Sequence, residues 1–251
     1  MPSPTLAPTA KSQAIPASTA TAISIGTTAT TGTNKAIGQE AVVIPHKAST
    51  PLKSNTFRRY LRDHPDRGFV QMVLDIIDNG ADIGFNGPRY PRFTKNSATA
   101  REFSEVLLKS ITKEVASGHS VGPFSSPPFP NFVVSSLGVR EKKTGGHRII
   151  MDLSRPFGDS VNDHISPEDY SLAFCSVDDA CNMLQTVGKG ALMAKEDVKA
   201  AFRLIPVRPL DWPLLGYMVS GSYYFDVVLP FGCRSSPFLF CLFSYAVHWI
   251  L

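Results

Sequence analysis

The sequence predicts an α+β fold: a short helical region, then paired strands, behind a disordered N-terminal tail. Three observations predict it. The first 50 residues are dominated by Ala, Thr, Ser and Pro. From about residue 55, apolar residues recur at helical spacing. From about residue 119, the pattern changes to short apolar runs separated by glycine turns.

Taken in order, residues 1–50 include "ASTATAISIGTTATTGT". Such a composition cannot bury enough apolar area to offset the entropy of ordering the chain, so a tail is expected. An O-glycosylated stalk would share the composition, but no basic region followed by an apolar run precedes it. Residues 51–118 are expected to form the helical region. "NTFRRYLRDHPDRGFVQMVLDIIDNG" reads as two helices broken at Pro65. Val70, Val73, Leu74 and Ile77 share one face, and Asn79-Gly80 ends the second helix. A loop rich in Gly, Pro and Arg follows. "TAREFSEVLLKSITKEVASG" then reads as one helix. Thr99 and Glu102 form its capping box, Phe103, Val106, Leu107, Ile111 and Val115 its stripe, and Gly118 its end.

The strand-rich half opens with "GPFSSPPFPNF", a stiff extended lead-in. Its Pro127-to-Pro130 spacing fits a P-x-x-P ligand, and the structural reading is preferred because such matches are frequent by chance. "VVSSLGVREKKTGGHRIIMDL" predicts a hairpin turning at "KKTGG". "SVDDACNMLQTVG" predicts a helix capped by Ser176. "ALMAKED" predicts a short buried strand, and "WPLLGYMVSGSYYFDVVL" a second hairpin turning at Ser220-Gly221. The final helix is expected to start with Ser236 at the N-cap and Pro237 at the first helical position.

The bulk properties narrow the function classes. At 251 residues, with 43% hydrophobic and 18% charged residues, the chain can build a substantial core. A formal charge of +4 is compatible with a polyanionic partner without specifying one. Cys175, Cys181, Cys233 and Cys241 form no C-x-x-C pair, which argues against a zinc site or a dense disulfide framework. They read as reduced thiols of an intracellular protein, with nucleus and cytoplasm not distinguished. The apolar run "PFLFCLFSYAVHWIL" falls short of a membrane span and contains His248. A buried helix is expected there, and a tail anchor is the lesser reading.

Three segments carry the chemistry. Asp197, in "KEDVKAAFRLIPV", is expected at the end of a strand just before a short helix. A carboxylate there can hold a divalent cation or merely cap the helix, and the segment alone favours capping. Lys142, Lys143 and Arg148 flank a glycine turn and suit a triphosphate, although the segment alone favours a solvated turn with gatekeeper charges. "LPFGCRSSP" joins a strand to an apolar helix, and Gly232 permits close approach of a ligand or another backbone.

In this order and spacing, "KKTGGHRIIMDL", "KEDVKAAFRLIPV" and "LPFGCRSSPFLF" resemble the reverse transcriptases of retroelements. "GPFSSPPF", "SLGVREKK", "RIIMDLSRPFGDSVND" and "LPFGCRSSP" are most similar to the DIRS-like class of retrotransposons. The resemblance covers roughly residues 57–251. It implies a right-hand polymerase, with fingers over 119–190 and a truncated palm over 191–251. It implies that Asp197 and the Val198 carbonyl bind magnesium, two ions serving the complete enzyme. Phe202 would exclude ribonucleotides. Ala200 and Ala201 would offer N–H groups to the deoxynucleoside triphosphate, and Arg148 with Lys142 or Lys143 would clamp its phosphates. Phe231 and Gly232 would shape the nucleotide site. Glu196, Asp152, Asp163 and Asp226 are assigned no chemistry. The implied partners are an RNA or DNA template-primer and deoxynucleoside triphosphates, without a membrane; oligomeric state is not indicated.

The family's second palm motif, an aromatic residue followed shortly by two aspartates, is not found in the sequence. The expectation is therefore a reverse transcriptase fragment, inactive alone. A non-catalytic nucleic-acid-binding relic is the alternative.

Overall fold

The computed structural model describes residues 42–143, 145–194 and 197–251. The tail expected over residues 1–41, and Lys195 and Glu196 of the motif segment, lie outside these. Residues 42–50, assigned by composition to the tail, are packed: Ala48 is buried, and the Thr50 hydroxyl donates to Leu204 O. Sparse apolar residues here find cover on an existing core, which composition averaged over the tail hides.

Helices α1 (Ser54–Tyr60) and α2 (Arg67–Asn79) flank Pro65 as expected. Asp66 caps α2 by accepting from Phe69 N, and Val70, Val73, Leu74, Ile76 and Ile77 go into the core. The next helix divides into α3 (Ala98–Glu102) and α4 (Ser104–Ala116), with Phe103 between them outside helical geometry. The expected Thr99–Glu102 box does not form. Ser97 is the cap, accepting from Ala100 N, while the Thr99 hydroxyl accepts from Val139 N in a neighbouring strand. A tertiary partner has taken the group that local pattern assigned to capping.

The main sheet has five strands in the order β1, β3, β6, β7, β2. Strand β1 (Arg92–Phe93) runs parallel to β3 (Val133–Val134), and β3 parallel to β6 (Gly216–Val219). Strands β6 and β7 (Ser222–Asp226) form the expected hairpin. Its turn residues Ser220 and Gly221 have φ of 51° and 80°, matching the strand twist as a two-residue hairpin turn requires. Strand β2 (Ser120–Phe124), predicted only as an extended lead-in, pairs antiparallel with β7. The other hairpin, β4 (Ser136–Glu141) and β5 (His147–Asp152), is a separate two-stranded sheet. The run "VVSSLGVRE" is therefore divided between two sheets at Ser135, whose N–H donates to Gly216 O.

Helix α4 packs on β2 and β5, and α3 on β4. Trp212, Tyr217 and Phe225 lie in the centre of the core. Helix α5 (Val177–Val187) has the expected cap, in which Ser176 and Asp179 exchange hydrogen bonds. It buries no residue. The following "ALMA" is not a strand: Leu192 is 98% exposed and Met193 77%. Apolar character favours burial, but a strand also needs a pairing partner, and no described strand pairs with this segment. Helix α6 (Ser236–Ile250) starts one residue earlier than expected, after Ser235. Ser236 instead donates its hydroxyl to Pro230 O. Leu239, Leu242, Phe243 and Ala246 are buried, while Tyr245, Val247 and Trp249 remain exposed. No helix among the described residues is long and apolar enough to cross a membrane.

Candidate nucleotide-binding cleft

Between the β4–β5 hairpin, α4 and the sheet lies a cleft of about 520 Å³. The hairpin contributes Lys142, His147, Arg148, Ile149 and Met151. Ala200 and Arg203 come from the segment after Asp197, and Pro230 and Phe231 from the strand-to-helix loop. Lys113, Glu114, Tyr217 and Asp226 complete the principal polar lining. Residues far apart in sequence thus share one cavity. A second hollow of about 360 Å³, under residues 42–49, contains none of the candidate site residues.

The hairpin register sets its charge. Arg140 lies opposite Arg148, and Glu141 opposite His147. Alternation puts Arg140 and Arg148 on the hairpin face away from His147, Ile149 and Met151, so Arg148 borders the cleft from the other side. Like charges directly opposite destabilise a strand pair. An anion would relieve that repulsion. Lys142 and Lys143 are exposed beside the turn, and Lys142 N donates to Gly146 O.

The loop after β7 is fixed by Asn162, which the motif reading left out. Its Nδ2 donates to Gly232 O and Ser154 Oγ, and its Oδ1 accepts from Arg234 N. Gly232 has φ of 114°, and a Cβ there would come 2.3 Å from Met151 O. Its missing side chain admits the backbone of β5 rather than a ligand. Phe231 is 54% exposed. Phe202 packs against Phe231, with centroids 4.8 Å apart, and edge-on to Phe240 at 5.9 Å.

Beneath the cleft lies an ion cluster that sequence reasoning missed. Arg203, in the 3₁₀ turn Ala201–Leu204, is 9% exposed. Its Nη1 and Nη2 donate to the two carboxylate oxygens of Asp226. Its Nε and Nη2 donate to Glu114 Oε2 at 3.0 and 2.8 Å. Ser120 donates to Asp226, and His119 Nδ1 lies 2.9 Å from Glu114 Oε2. Burial acts to raise the Glu114 pKa, but Arg203 and His119 outweigh it and hold the carboxyl below its usual value. Burial pushes the Tyr217 phenol well above its usual range, with the Asp226 charge adding to the effect. The two acids are thus committed to a guanidinium and are not spare metal ligands.

Asp197, Val198, Lys143, Ala201, Phe202 and Gly232 do not line the cleft. Asp197 and Val198 are exposed, three and two residues before the cleft-lining Ala200. Ala200 has φ of 53°, a left-handed conformation uncommon for alanine, and turns the chain into the Arg203 anchor. Among the described residues, no group of three or more His, Cys, Asp or Glu side chains could hold a metal ion. Magnesium takes near-octahedral oxygen coordination, and one exposed carboxylate with a carbonyl does not provide a site for two ions. The residues present do not fit the expected metal pair.

No protein-family model matches the chain, and no curated protein does. Among solved structures, it is similar to the prototype foamy virus protease-reverse transcriptase: 17% identity, TM-score 0.38, over 64% of this chain and 19% of that one. It is also similar to two structures of foamy viral protease-reverse transcriptase in complex with double-stranded DNA. One shares 13% identity with a TM-score of 0.42, over 81% of this chain and 36% of that one. The other shares 14% identity with a TM-score of 0.41, over 81% and 43%. The chain thus spans less than half the length of these proteins. Backbone likeness of this degree carries no functional assignment.

Proposed function

We propose that the cleft is the deoxynucleoside triphosphate site of a reverse transcriptase, whose fingers and part of whose palm this chain supplies. One observation carries the reading. Lys142 and Arg148, Ala200, and Phe231 come from the three segments that resemble reverse transcriptase motifs, and all four line one cleft. A triphosphate would bring negative charge to Lys142 and to Arg148 at the cleft's border, with Lys143 beside the turn. Ala200 and Ala201 would offer N–H groups to it. The packed rings of Phe202 and Phe231 would bound the sugar, with Phe202 as the group that rejects a ribose 2′-hydroxyl. Gly232 shapes this boundary by letting its loop close on β5.

Asp197 is assigned a carboxylate role in a polymerase that brings further acids to it. The described residues suit nucleotide binding, and phosphoryl transfer requires carboxylates they do not include. Primer extension tests this. The chain alone is expected to incorporate nothing. A longer chain that includes a second acidic motif is expected to synthesise DNA, and Asp197→Asn to abolish synthesis without changing the melting temperature. Synthesis unaffected by Asp197→Asn would overturn the role.

The second reading, a non-catalytic nucleic-acid-binding relic, is favoured by the exposure of residues 192–194 and 197–200 and by the lack of a metal-holding side-chain group among the described residues. It predicts salt-sensitive, sequence-independent binding without nucleotide binding.

A further inference from the structure

Away from the cleft, α1 meets the last turns of α6. Phe57 packs edge-on against Phe243, with centroids 5.9 Å apart, and Leu61 is fully buried. The i, i+4 pair turns one face of α1 inward. Arg58, Arg59 and Tyr60 are left in solvent, with Lys53 just before the helix. Arg62 pairs with Asp63 at 3.0 Å, but both are exposed, and such pairs hold weakly. No carboxylate among the described residues pairs with Lys53, Arg58 or Arg59.

Two exposed aromatic rings lie on the same pair of helices, Tyr60 beside Arg59 and Trp249 beside His64. Tyr60 is 51% exposed, and the Arg59 guanidinium lies 5.3 Å from its centroid. Trp249 is 47% exposed and braced by His64, with centroids 4.6 Å apart. We propose that this α1–α6 surface binds single-stranded nucleic acid outside the cleft. Arg58, Arg59 and Lys53 take phosphates, and the Tyr60 and Trp249 rings take bases by stacking. Cations interleaved with exposed flat rings are the chemistry a single strand uses, since every base has a π-face. An acidic peptide would use the cations and leave the rings idle. A flat anionic membrane would meet Asp63 and Asp66 on the same segment, whereas a flexible strand can pass around them. The proposal does not depend on a nucleotide occupying the cleft.

The two tryptophans make the surface measurable. Trp212 is 1% exposed and Trp249 is half-exposed, so quenching by a stacked base reports Trp249. The full chain is titrated with oligothymidylate. The expected result is saturable quenching that weakens with salt. Arg58→Gln with Arg59→Gln should flatten the log–log salt dependence by about 1.4, at roughly 0.7 per phosphate contact. Tyr60→Ala and Trp249→Ala should each weaken binding about tenfold, read by anisotropy of a labelled strand. Circular dichroism checks the fold, and the arginine pair keeps the test valid if an aromatic variant unfolds. Absence of quenching overturns the proposal, as does quenching indifferent to the arginine pair. Binding lost only with Lys142→Gln and Arg148→Gln would assign the strand to the cleft instead. Quenching by phosphatidylserine vesicles and not by the oligonucleotide would assign the surface to a membrane.

Discussion

Arg203 holds two carboxylates at once, and both lie beneath the cleft. Its partners are 23 and 89 residues away in sequence, so no local pattern announces the cluster. Asp226 could be seen only as an acid near a strand end, and its burial depends on the sheet that forms around it. Replacing Arg203 with Met leaves Asp226 buried without its counter-charge. The expected loss is about 3–5 kcal/mol of unfolding free energy, measured by denaturant titration. Acid should act on the same cluster. The folded Glu114 pKa lies below the ordinary 4.5, so its contribution is complete above that value and is lost as pH falls through the folded pKa. The denaturation midpoint should therefore fall below about pH 4.5, and Glu114→Gln should blunt that fall. A midpoint insensitive to both changes would show that the cluster does not hold the fold. The opposed arginines were more legible: once the turn at "KKTGG" is fixed, counting back along the hairpin pairs 140 with 148.

At the scale of elements, local signals were read correctly where their partners are local. The Ser176 cap, the Ser220-Gly221 turn and the Pro65 break are each set within a few residues. Elements that depend on distant partners were not legible. Thr99 left its box for Val139, and "ALMA" has the composition of a strand but pairs with none of the described strands. Helix α5 shows the consequence for stability. It has a well-formed cap but no buried residue, and an isolated helix of 11 residues is marginal in water. Ser176→Ala, which removes the cap, should reduce amide protection across 177–187 and leave the global unfolding midpoint unchanged. An equal drop in the global midpoint would mean that α5 unfolds together with the core.

For the whole molecule, four residues from three motif segments, Lys142, Arg148, Ala200 and Phe231, line one cleft. The sequence could not show that Asp197 lies outside that lining, because the expected strand before it does not form. The central claim is that this cleft takes a deoxynucleoside triphosphate. Calorimetric titration of the full chain with a deoxynucleoside triphosphate and magnesium measures it directly. Binding is predicted, weakened about tenfold or more by Arg148→Gln together with Lys142→Gln, with the fold intact. No binding, or equal binding by the double variant, would contradict it.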